Sequence, residues 1–78
     1  FSDHFKKEDK QKALLYRKEW GDNLRLAEEY HNKGEFDKAE MHLAHAMRLL
    51  GYLRIMNLQH LNYEKMTQEH AMWGTMQP

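Results

Sequence analysis

The sequence contains no cysteine and no valine, a single isoleucine, and one proline that is its last residue. Without cysteine there is no disulfide framework, no thiolate metal site and no thiol nucleophile. The scarcity of β-branched apolar residues disfavours strands, and six methionines favour helices with adaptable surfaces. With proline confined to the end, nothing in the chain forbids continuous helix. No apolar run approaches the ~20 residues needed to cross a bilayer, and no signal-peptide core is visible. A membrane anchor, if the natural protein uses one, is expected outside this chain. Net charge is lacking too, since 12 Lys+Arg balance 12 Asp+Glu. That balance argues against a nucleic-acid binder held chiefly by phosphate contacts.

What remains is helical periodicity in a chain of 78 residues, enough for one small domain. Its thin core implies a stability on the order of 3–5 kcal/mol unless a partner adds to it. A first helical segment is expected from about Ser2 to Lys33, capped by Ser2 or Asp3, with Phe5 in its first turn. Its apolar stripe runs through Ala13, Tyr16, Trp20, Leu24, Ala27 and Tyr30 or His31. Residues 1–12 form a charged N-terminal helical extension, the first ten solvated and frayed. "GDN" at 21–23 predicts either a kink or a new start capped by Asp22. The next stripe is Phe36, Ala39, Leu43, Ala46, Met47 and Leu50, ended by a left-handed Gly51 with Arg48 near the negative end of the dipole. Beyond it apolar residues occupy more than one face, and a break at Asn62 divides helices near 52–61 and 63–73. The expectation is an all-α, four-helix domain over 13–73, with 74–78 a flexible tail.

The stretch "AEEYHNKGEFDKAEMHLAHA" at 27–46 is the most patterned part. A tetratricopeptide unit pairs W-x2-L-G-x2-Y in one helix with A-x3-F in the next. Here Asn23-x2-Leu26-Ala27-x2-Tyr30 is followed by Ala39-x3-Leu43 and Ala46. Ala27, Ala39 and Ala46 are small where backbones must approach. Tyr30, Phe36 and Leu43 fill the space beside them, and Gly34 supplies the turn. Any antiparallel helical hairpin explains Ala27, Gly34 and Ala39, but not the full spacing. No second copy is present, so the chain is not a repeat array.

On these residues the chain resembles the cytosolic single-tetratricopeptide domain of the small presequence receptor of the mitochondrial outer-membrane translocase. Leu26, Glu28, Glu29, Gly34, Glu35, Lys38, His42, Leu43 and Ala46 sit at family-like positions over residues 20–51, and Phe36 replaces a tyrosine. Trp20 and Leu24 stand where the family has Phe and Ile, and Arg25 where it has glutamine. The resemblance implies protein import at the cytosolic face of the mitochondrial outer membrane. An amphipathic presequence helix would lie in a hydrophobic groove floored by Trp20 and Leu24. Met56, Leu58 and Leu61 would form the opposing wall. The same side chains also read as plain core.

Other constellations are weaker. His42 and His45 lie near one another on a helix, with His31, His60 and His70 elsewhere, but no H-E-x-x-H spacing or third ligand accompanies them. Glu28, Glu29, Glu35 and Asp37 fall at surface or turn positions near lysines, as in the i,i+4 pair Glu29–Lys33. No phosphate loop and no nucleophile–base pattern is visible. Neither metal, cofactor nor catalytic residue is expected. The run Lys6, Lys7, Lys10, Lys12 is interleaved with Glu8 and Asp9 and reads as a solvated face. Two roles stay open: a non-catalytic peptide-binding receptor module, or a structural accessory subunit of a larger complex, for which the resemblance implies a mitochondrial setting. In the second, Tyr52, Met72, Trp73 and Met76 would bury against neighbouring subunits.

Overall fold

The chain reverses direction at Gly34, whose φ of +77° is left-handed and free of strain only for glycine. In this computed structural model the backbone is described for residues 1–76 and side chains through Lys65. Helix α1 spans Lys10–Asn32, and helix α2 spans Phe36–Met76. At the end of α1 the Gly34 N–H donates to the His31 carbonyl at 3.0 Å. The Glu35 N–H donates to the Tyr30 carbonyl at 2.9 Å, which completes a Schellman closure. Glu35 then opens α2, its carbonyl accepting from the Ala39 N–H at 3.1 Å. Its carboxylate takes a 3.1 Å hydrogen bond from Lys38, which holds that ammonium above its ordinary 10.5.

The two helices run antiparallel along a seam with the 3,4 spacing of a coiled coil. On α1 the seam is Ala13, Tyr16, Trp20, Asn23, Ala27 and Tyr30. On α2 it is Ala39, His42, Ala46, Leu49, Leu53, Met56 and His60. Ala13, Ala27, Ala39, Ala46, Leu49, Leu53 and Met56 are all buried. Small residues recur in both lines, so the helices approach closely and the larger rings stand beside them. Tyr16 meets Tyr52 with ring centroids 5.6 Å apart. Tyr30 stacks flat on His42 at 5.4 Å. Asn23 donates to the Glu19 carbonyl at 2.8 Å, leaving its side-chain oxygen to face His42 Nδ1 at 2.9 Å across the seam.

Two helices, not four, make up the described chain. Gly51 lies inside α2 and ends nothing, and α2 also passes Asn62 and residues 74–76 without interruption. A helical glycine costs only about 1 kcal/mol. The seam residues Ala46, Leu49, Leu53 and Met56 continue in phase across it, and their burial outweighs that cost. Gly21, Asp22 and Asn23 likewise stay within α1. The apolar stripe expected on α2 is also displaced. Its Ala39 and Ala46 are in the seam, but Phe36, Leu43, Met47 and Leu50 are exposed.

Of the extension expected over residues 1–12, Lys10–Lys12 belong to α1, and residues 1–9 form no α-helix. Two 3-10 turns, Ser2–His4 and Lys7–Asp9, precede α1, and between them Phe5 is buried against Ala13, Leu53 and Met56. The Asn57 side chain donates to the His4 carbonyl at 2.9 Å, and Lys6 sits 5.7 Å over the Tyr63 ring. This segment therefore covers α2 where α1 has already begun. With 41 residues against 23, α2 is much the longer helix, which accounts for overall dimensions of 69 × 18 × 13 Å.

Candidate functional site

An α-helix that packs against one neighbour has use for one apolar stripe. Helix α2 carries two. Besides its seam, Leu43, Met47, Leu50, Leu58 and Leu61 follow steps of three and four interrupted only at Arg54. They are 43–66% exposed, which marks an apolar line, broken once by Arg54, that the hairpin leaves uncovered. Tyr52 and Ile55 on the other flank are about half exposed as well, at 49% and 47%.

Between the outer line and α1 lies a shallow cleft of about 580 Å³. Phe5, Trp20, Leu50 and Leu53 provide its apolar lining, and Phe1, His4, Arg17, Arg54 and Asn57 complete it. Arg17 is held over the rings of Phe1 and Trp20, at 5.1 and 5.6 Å. Such contacts fix a guanidinium in place while leaving its N–H edge free to donate. A second hollow of about 810 Å³ lies beside the 3-10 turns, where Lys6, Lys7 and Lys10 alternate with Asp3, Glu8 and Glu64 around Phe5, His60 and Tyr63. His60 Nε2 is 3.2 Å from Glu64 there.

The five residues expected to form a peptide groove do not converge on one wall and floor. Trp20 lines the cleft, and Leu24 lies half-buried one turn further along α1. Met56 is buried in the cluster with Phe5, Ala13 and Leu53. Leu58 and Leu61 are exposed on the outside of α2. The opposing wall required two separate later helices folded back over the hairpin, and those residues instead continue α2 outward.

The hairpin residues divide similarly. Ala27, Ala39 and Ala46 are buried, Gly34 makes the turn, and Tyr30 stacks at the seam. Leu43 is exposed, and Phe36 is exposed too, its ring meeting His31 in a T-shaped contact at 5.4 Å between centroids. His42 is engaged by Asn23 and Tyr30, whereas His45 is exposed on another face. Arg25 is exposed and ion-paired with Asp22 at 3.7 Å. The side chains of His70, Met72, Trp73 and Met76 lie outside the described residues. Arg17 and Arg54 were not expected here, and Phe5, expected in a first helical turn, is instead part of the core and of the cleft. A charge-rich neighbourhood masked Arg17 and the burial of Phe5, and Arg54 interrupts an otherwise apolar line.

No described helix is long and apolar enough to cross a membrane. Comparison of the chain with protein-family models, with curated proteins and with solved structures returned no match.

Proposed function

We propose that the chain is a non-catalytic helix-docking subunit, whose task is to hold a partner helix against α2 within a larger assembly. The observation that carries this reading is the uncovered line Leu43, Met47, Leu50, Leu58 and Leu61. Burying the exposed half of each side chain would contribute about 1 kcal/mol, or roughly 5 kcal/mol for the line before association costs. That is comparable to the stability expected of the whole hairpin. An accessory subunit that completes its fold by packing into neighbours fits this balance.

The receptor reading draws on a different observation, the tetratricopeptide-like spacing of residues 23–46, and it alone suggests a mitochondrial setting. Both readings share helix docking and differ in its permanence. The unbroken α2, which leaves no second wall for a closed peptide groove, favours the permanent subunit.

The test replaces Met47, Leu50 and Leu61 by glutamine. All three are exposed, so the helical circular-dichroism spectrum of the isolated chain should not change. In cells, the tagged wild-type protein should migrate in a high-mass species on native gels and the triple variant as the free protein. A wild-type protein found only free, or a triple variant retained in the large species, refutes the proposal.

A further inference from the structure

The cleft beside the outer line has a charge as well as a shape. Its charged side chains are Arg17 and Arg54, and no carboxylate lines it. Two other described cations are ion-paired, Arg25 with Asp22 at 3.7 Å and Lys38 with Glu35 at 3.1 Å, and the neighbouring hollow mixes Lys6, Lys7 and Lys10 with Asp3, Glu8 and Glu64. Arg17 and Arg54 have no carboxylate partner among the described residues. One guanidinium stands on each helix, flanking a floor of Trp20, Leu50 and Leu53. Such a fork donates well to a carboxylate and repels a lysine or arginine.

Resting on the helix-docking reading above, we infer that the occupant of this face is an acidic amphipathic helix of another protein. Its apolar side would lie along Leu43, Met47 and Leu50, and its flanking carboxylates would reach Arg17 and Arg54. This is the opposite electrostatic preference from that of a basic presequence helix. Discrimination follows from the sign of the charge at both rims, while the apolar floor supplies attraction common to either kind of helix.

The experiment uses the isotope-labelled full chain and two amphipathic helical peptides of about four turns, identical in their apolar face. One carries glutamate on its flanks and the other lysine. Binding is read from the indole N–H of Trp20 and the amides of Arg17, Leu50 and Arg54. The acidic peptide is expected to bind roughly tenfold more tightly than the basic one, with the difference shrinking as salt rises to about 0.3 M. Arg54→Glu, and separately Arg17→Glu with Arg54→Glu, should erase or invert the preference while the circular-dichroism spectrum stays helical. The single variant preserves the Arg17 contacts with Phe1 and Trp20, so a folding defect in the double variant does not blur the outcome. Equal binding of both peptides, preference for the basic one, binding of neither, or occupation of the cleft by a second copy of the chain would each overturn the inference. The first two of these leave helix docking standing. The native-gel test above decides that broader reading by itself.

Discussion

Replacing Gly51 by alanine is expected to stabilise the chain by about 1 kcal/mol. Gly51 lies in the middle of α2, and a methyl group built on its Cα meets nothing within 4 Å. The substitution therefore removes the entropic penalty of a helical glycine without a clash. Gly34 provides the opposite sign within the same molecule. Its surroundings are equally open, but its φ of +77° makes alanine unfavourable by about 1–2 kcal/mol. Urea unfolding followed by helical circular dichroism measures both, and thermal midpoints should move by about 4–8 °C per kcal/mol. Were Gly51 instead a left-handed helix end, as in a four-helix arrangement, Gly51→Ala would destabilise as Gly34→Ala does. A loss of stability in Gly51→Ala at unchanged m-value would refute the continuous α2. A neutral Gly34→Ala would refute the tight Schellman turn.

Phe5→Ala should remove about 3 kcal/mol of packing from the cluster with Ala13, Leu53 and Met56. Amide exchange in residues 1–9 should rise more than in the turn around Gly34, and uniform acceleration across both regions would contradict a locally docked segment. The Asn23–His42 link should give a coupling energy of about 0.5–1.5 kcal/mol in a double-mutant cycle with alanine. Strict additivity of the two substitutions would show that the 2.9 Å contact contributes nothing to holding the helices together.

The all-helical character of the chain was legible from composition, because proline and β-branched residues are nearly missing. So was the reversal at Gly34, where a glycine stands between two helix-forming stretches. The architecture after Gly51 was not legible, because glycine has the same identity at a helix end and on a helix's open face. What separates the two is whether the seam keeps its phase beyond the glycine, and Leu53 and Met56 do keep it. On α2 the misreading had a specific cause. The seam begins with Ala39, His42 and Ala46, small or polar residues that signal burial weakly, whereas Leu43, Met47 and Leu50 signal it strongly and are exposed. Phe5 was obscured by the lysines and acids around it. The cationic cleft required knowing that Arg17 of one helix and Arg54 of the other come to the same place.

The absence of a break in α2 also ties distant parts of the molecule to one angular clock. Each residue advances the helix by about 1.5 Å and turns it by about 100°. A single residue inserted beside Gly51 would leave Leu43 and Met47 where they are and swing Leu58 and Leu61 by roughly a quarter turn. The outer line would then be two short patches facing different directions, although every side chain composing it remained. An insertion of seven residues would lengthen the rod by about 10 Å and restore the alignment to within about 20°. Substitutions along the line are thus the milder class of change, and shifts in residue count the severe one.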